Sequence, residues 1–415
     1  MNAPSPHATD PADCALVLTG GGARAAYQVG VLQALAALRR RAGQGRGPSP
    51  FGIIAGTSAG ALNAAALACG ADRFDAAVTR LARTWRGIHS AHVYRADALD
   101  AARAGARWLS LISLGWALAR WGALQPRALL DNAPLRALLK AQVPLHRLAA
   151  MREAGHLRAL AIAASGYTNG EHVTFCDTTH ALPAIAHAQR REVRAAIGVE
   201  HLMASSAIPF VFPAAAIDTA GAGGYYGDGS MRQTAPLAPA IRLGARRILA
   251  VGAGRAHEPP DVPPDSATPG ALPAYPSLAL IAGHALSSIF LDSLLDDAAR
   301  LERINRTLAL VPPGQHADAP QRHVALLLIT PSQRLDSLAA RHTAELPRAM
   351  RALLAALGAS SDQRDARSAA LASYLLFEPG YTHALMRLGR ADTLARQHEV
   401  CRFFGWPAPA DAAPA

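Results

Sequence analysis

Residues 51–70 read FGIIAGTSAGALNAAALACG, with Ser58 at the centre of Gly56-Thr57-Ser58-Ala59-Gly60. A serine between glycines, after a short apolar run and before an alanine-rich stretch, has the spacing of a nucleophile elbow. The flanking glycines Gly56 and Gly60 permit a tight strand-to-helix turn that strains the serine backbone and exposes its hydroxyl. The Ala59 amide and the positive end of the following helix then face the oxyanion that forms when a carbonyl is attacked. The plainer alternative is a glycine-lined turn carrying a surface serine.

A second glycine segment, TGGGARAAYQVG at 19–30, precedes it. Gly20-x-Gly22-x-x-Ala25 approximates a dinucleotide fingerprint, which needs an acidic residue roughly 20 positions on to hold a ribose. No Asp or Glu occurs from Cys14 through Ala71, so that reading fails. The segment reads instead as an oxyanion hole, in which the amides of Gly20, Gly21 and Gly22 approach a developing negative charge unobstructed. Arg24 stands beside it, either orienting the loop, meeting a phosphate, or lying as a first-turn surface arginine.

A serine nucleophile needs a proton acceptor, and histidine is the usual one. The chain has 16 histidines, but none sits in a tight glycine-flanked turn. His172, His180 and His201 read as solvated or core-satisfied. Asp228 does sit in such a setting, in YYGDGSM between Gly227 and Gly229. Its alternative role is an ordinary turn aspartate that bonds its own backbone.

The ordered set GGGARAAYQVGVLQAL, GTSAG, ASSAIPFVFP and DGS resembles the patatin-like phospholipase family over about residues 14–254. The resemblance implies a three-layer α/β/α fold around a mostly parallel sheet. It also implies a Ser–Asp dyad with Ser58 as nucleophile, Asp228 as proton acceptor, and an oxyanion hole built from Gly20, Gly21, Gly22 and Ala59 beside Arg24. The substrate implied is a lipid acyl ester, a phospholipid above all, cleaved through an acyl-enzyme with no cofactor and no metal. Two positions depart from the family pattern. Ala25 replaces the last glycine of the loop, and Ser230 follows Asp228-Gly229 where the family carries Gly or Ala.

Three other readings use the same residues. A Ser–His–Asp hydrolase would need a late histidine, such as His284 or His383. An acyltransferase would replace water by an alcohol acceptor. A non-catalytic lipid-binding protein would retain the fold without the chemistry.

The elements that must position these residues follow from periodicity. Residues 14–43 read as strand, glycine turn and helix, with Ala25, Val29, Leu32 and Ala36 on one buried face and Arg39, Arg40 and Arg41 in the cation-favouring last turn. Residues 51–70 repeat the plan, and two such units in succession imply parallel strands and an α/β class. Residues 72–150 read as a helical cap insertion with Trp85, Trp108, Trp116 and Trp121. Residues 157–177 suggest two strands joined near Asn169-Gly170, and residues 223–254 a glycine-rich turn, a short helix and the strand RILAVG. The expected division is a tail at 1–13, a hydrolase domain at 14–254, a Pro-rich linker at 255–276, a mainly helical extension at 277–405 and a tail at 406–415.

Of 415 residues, 51% are hydrophobic and 17% charged, a globular balance. The net charge of +11 is almost wholly arginine, since Lys140 is the only lysine. The arginines are scattered without an aromatic-basic array, which argues against nucleic acid and leaves phosphate head groups as the polyanion to consider. Cys14, Cys69, Cys176 and Cys401 lie far apart, which fits neither a zinc site nor a disulfide framework and suits a reducing compartment. The N-terminal residues lack the pattern of a secretory signal, and the apolar run WLSLISLGWALA at 108–119 is too short to cross a bilayer. A cytoplasmic protein with peripheral membrane contact is the expectation; oligomeric state is open.

Overall fold

The computed structural model describes residues 11–45, 47–95, 128–182, 189–219, 221–254, 277–289, 293–312, 321–359 and 369–407. The run at 108–119 with Trp108, Trp116 and Trp121, the linker at 255–276 and most of both tails lie outside these residues.

Among the described residues, nine strands form one sheet: β1 (Cys14–Leu18), β2 (Ile53–Thr57), β3 (Ala159–Gly166), β4 (His172–Thr178), β5 (Arg190–Arg194), β6 (Ala215–Ile217), β7 (Gly224–Asp228), β8 (Arg247–Val251) and β9 (Ala325–Ile329). Their order is β5-β4-β3-β2-β1-β8-β9, with β7 pairing β3 and β6. The centre is parallel, through β3–β2, β2–β1, β1–β8 and β8–β9. The hairpin β3–β4 and the β7 pairings are antiparallel.

Side chains alternate across the sheet, as the two-residue period of a strand requires. Leu16, Leu18, Ile54, Leu160 and Ile162 enter the core on one face. Ala15, Val17, Ile53, Ala159 and Ala161 enter a smaller core on the other. Helices cover both faces, which gives the three-layer arrangement and explains why the strands read as continuous apolar runs.

The helix α1 (Ala26–Arg41) departs from the single buried face expected of it: Tyr27, Val29, Gly30, Val31, Leu32, Ala34 and Leu35 are all buried. The reason lies in the helix Pro379–Ala395, which packs along α1. A Cβ on Gly30 would lie 2.0 Å from the Met386 carbonyl oxygen, and one on Gly389 2.2 Å from that of Tyr27. Glycines therefore let two helix backbones touch, and Tyr27 Oη donates to Asp392 Oδ2 at 2.9 Å across the contact. The C-terminal residues share the main core with α1 and add β9 to the sheet edge.

Two further helices matter for the site. The helix α2 (Ala59–Ala68) follows β2, and α3 (Phe74–Arg86) runs beside it. The segment 224–228, expected as a glycine-rich turn, is the strand β7, because β3 and β6 supply its backbone partners on both sides.

Candidate active site

Ser58 is the first residue beyond β2 and has φ 55° and ψ −132°, in a region that non-glycine residues rarely occupy. Such strain persists only where surroundings over-determine it. One determinant is Ser205, whose Oγ accepts the Ser58 backbone N–H at 2.9 Å. Another is the helix approach: a Cβ on Gly60 would lie 2.3 Å from the Leu18 carbonyl oxygen, so only glycine lets the first turn of α2 sit against the end of β1.

Asp228 is the last residue of β7. The register places it with some economy of means: Thr57 of β2 pairs with Ala163 of β3, and Asp228 pairs with the next residue, Ala164. The strand β2 arrives parallel and β7 antiparallel, so the two meet end to end along one side of β3. Ser58 and Asp228 occupy the junction.

Both residues are 1% exposed. Burial pushes the Asp228 carboxyl up to about 6, while the Ser58 hydroxyl and the backbone and hydroxyl of Ser230 pull it partly back. Asp228 Oδ1 accepts the Ser230 N–H at 2.9 Å, the self-bonding of an ordinary turn aspartate. Oδ2 is buried without a hydrogen-bond partner. One oxygen thus anchors the turn and the other keeps its lone pairs, in a carboxyl that lies close enough to the Ser58 hydroxyl to feel it.

The glycine turn faces the same junction. Gly22 has φ 54°, and a Cβ there would lie 2.2 Å from the Tyr374 carbonyl oxygen. The amides of Gly22 and Ala59 stand in the first turns of their helices, where no intrahelical acceptor exists. Gln28 Nε2 donates to the Thr19 carbonyl at 2.8 Å, and Asn63 Nδ2 bonds Gln28 Oε1 at 2.9 Å while its Oδ1 accepts from Trp85 at 2.8 Å. This chain of amides fixes the turn to α2 and α3.

Arg24 is not a surface residue. It is 4% exposed, its Nε donates to Ser373 Oγ at 2.8 Å, and its guanidinium stacks 4.1 Å from the Tyr374 ring centroid. It ties the glycine turn to the C-terminal segment. Ser205, Ser373 and Tyr374 are the positioning residues that sequence reasoning passed over. Ser205 lay in the quoted ASSAIPF run without a role, and nothing local marks Ser373 or Tyr374.

The histidines stand elsewhere. His201 is buried, its Nδ1 accepts the Gly198 N–H at 3.0 Å, and its pKa is lowered by burial. His172 is pushed down to about 4, again by burial. His284 is exposed on the helix Leu278–Ser287 and His383 lies on Pro379–Ala395; neither lines the cavity that holds Ser58.

That cavity encloses about 890 Å³ of empty space, its open mouth included. Its walls are mostly apolar, with Leu62 of α2, Leu81 of α3, Leu139 of the helix Ala133–Gln142, and Phe377. Ser58, Ala59 and Gly22 border it together. All four cysteines are buried and unpaired. No helix among the described residues is long and apolar enough to cross a membrane.

Comparisons with known proteins extend this picture. The crystal structure of VipD from Legionella pneumophila is similar over 92% of this chain and 68% of VipD, at 13% identity and a TM-score of 0.33. A likeness so distant carries no weight for activity. No curated protein matches the chain. The family model described as patatin-like phospholipase matches residues 16–241, which include the end of β1, the glycine turn, Ser58, Ser205 and Asp228, and with more than half its length matched the chain belongs to the patatin-like phospholipase family.

Proposed function

We propose that the protein is a serine lipid acyl hydrolase of phospholipase A or lysophospholipase type, with Ser58 as nucleophile and Asp228 as its base. The observation that carries this reading is the junction of β2 and β7, which sets the two side chains together, with Ser58 at the wall of an apolar cavity.

The steps follow from the residues in place. Asp228 Oδ2 takes the hydroxyl proton as Ser58 Oγ bonds to the ester carbonyl carbon. The tetrahedral oxyanion is met by the amides of the Gly20–Gly22 turn and of Ala59, each such donor being worth about 3 kcal/mol of barrier. Collapse breaks the carbon–oxygen bond, and Asp228 returns the proton to the departing alcohol. Water then attacks the acyl-enzyme, Asp228 takes its proton, and the fatty acid leaves with Ser58 Oγ reprotonated. A carboxyl near pKa 6 suits this shuttle, being ionised at neutral pH yet more basic than an exposed aspartate. The acyl chain lies in the apolar cavity. No histidine is called upon.

The test is fatty-acid release from mixed phospholipid vesicles, followed by mass spectrometry. The wild type releases free fatty acid and Ser58→Ala releases none above background; equal release by both proteins refutes the reading.

A further inference from the structure

The apolar cavity has two chemically different ends. Ser58 and Ala59 stand at one, at the start of α2, and Ala66 of the last turn of α2 borders the other. The helix α3 runs antiparallel alongside. Trp85 bonds Asn63 near the Ser58 end, while a Cβ on Gly70, just past α2, would touch Ala77 at 2.7 Å. Ala77 and Arg80 therefore lie at the distal end, where both line the cavity.

Arg80 is unlike the other lining residues. It is half-buried, and among the described residues its guanidinium makes no hydrogen bond or ion pair. Its Nη2 would lie 3.2 Å from a Cβ on Gly70, which puts the charge at the C-terminal end of α2, where the helix dipole favours a cation. Arg80 also borders an outer groove with Arg73, Arg83, Arg147 and Asp72. One face of the side chain thus closes the apolar cavity and the other stays hydrated among charges. Thr84 and Gln142, linked by a 3.4 Å hydrogen bond, add uncharged polar groups elsewhere in the same lining.

We propose that Arg80 is a specificity-determining residue that ends the acyl site and sets the length of chain it accepts. The inference rests on the hydrolase reading above and deepens it. From Ser58 to Ala66 the wall follows eight residues of helix, about 12 Å. An extended alkyl chain built from C–C bonds of about 1.5 Å advances about 1.3 Å per carbon, so about nine carbons beyond the ester carbonyl, those of a decanoyl chain, fill that length. Within it each methylene leaves water for an apolar wall and is rewarded. Carbons beyond it run toward the Arg80 guanidinium, which among the described residues has no protein partner and must give up hydration, a cost with no compensating bond.

The test is kcat/KM on p-nitrophenyl esters from butyryl to palmitoyl. For the wild type, kcat/KM climbs with each added methylene by up to about fourfold, peaks near decanoyl and falls beyond it. Arg80→Leu raises the palmitoyl-to-decanoyl ratio at least tenfold, and Arg80→Lys keeps the wild-type cut-off. Ala66→Phe, which fills the distal end from the other wall, moves the peak to shorter esters. A wild-type profile that climbs through palmitoyl, or an Arg80→Leu ratio equal to that of the wild type, overturns the proposal. Cleavage of no ester at all by the wild type sinks the hydrolase reading itself and this inference with it.

Discussion

Ser58 and Asp228, 170 positions apart in sequence, stand at the meeting ends of β2 and β7 because Thr57 and Asp228 pair with consecutive residues of β3. Their approach is set by backbone hydrogen bonds of the sheet rather than by flexible loops. A site built on strand ends is held to the tolerance of the sheet itself, which positioned chemistry demands.

The Ser58 N–H has Ser205 Oγ as its partner at 2.9 Å. Ser205→Ala leaves that buried amide unpaired, at a cost of about 1–3 kcal/mol in unfolding free energy. It also frees the strained φ of Ser58, so kcat falls at least tenfold while KM for a soluble ester changes little. Ser205→Thr, which keeps the hydroxyl, recovers most of both. Urea denaturation and steady-state kinetics read the two effects. A kcat unchanged in Ser205→Ala removes Ser205 from the positioning of Ser58.

Asp228 should impose a pH dependence on both activity and stability. Its folded pKa is raised from 3.8 to about 6, so the folded state binds the proton more tightly than the unfolded chain. Stability is therefore fullest below about 4 and falls as pH rises through the interval to about 6, by up to about 3 kcal/mol. Asp228→Asn removes that slope and is more stable than the wild type at pH values above the interval, while losing activity. In the wild type, kcat/KM falls as pH drops through about 6, when the base becomes protonated. A variant that keeps the wild-type slope of stability against pH contradicts this assignment.

Arg24 joins the glycine turn to Ser373 and Tyr374, outside the family-matched residues. Arg24→Ala loses a charge-assisted hydrogen bond and a cation–π contact, together about 2–4 kcal/mol. Arg24→Lys restores little, because an ammonium lacks the planar stacking face. Ser373→Ala, at the other end of the bond, lowers kcat with a smaller loss of stability. Equal kcat in Ser373→Ala and wild type shows that this tie holds the fold without holding the turn.

Gly60→Ala places a Cβ 2.3 Å from the Leu18 carbonyl oxygen and 2.5 Å from that of Thr19. Neither backbone can yield without parting α2 from β1, so a loss of about 3 kcal/mol or more follows, as overpacking at a rigid contact requires. Gly43→Ala, with nothing within 4 Å but φ 75°, carries backbone strain alone and costs about 1 kcal/mol. Thermal unfolding ranks the two, and a larger loss at Gly43 reverses the argument.

Much of this was legible in the sequence, and the parts that were not have a physical reason. The two strand–glycine–helix units, Ser58 at its elbow and the α/β class all follow from local periodicity and turn chemistry. Asp228 was visible as a glycine-flanked carboxylate, but β7 was not, because its residues Gly224–Asp228 carry no alternating apolar pattern and owe their extension to β3 and β6. The face of α1 covered by Pro379–Ala395, and the contacts of Arg24 with Ser373 and Tyr374, join residues some 350 positions apart. No local signal encodes such partners, and of the readings open for Arg24 its burial removes the surface one.

Activation of Ser58 by Asp228 can be read by labelling the protein with a fluorophosphonate and mapping the adduct by peptide mass spectrometry. One adduct is expected, on Ser58, absent from Ser58→Ala and formed at least a hundredfold more slowly in Asp228→Asn. An adduct on another residue, or an Asp228→Asn rate equal to that of the wild type, contradicts it.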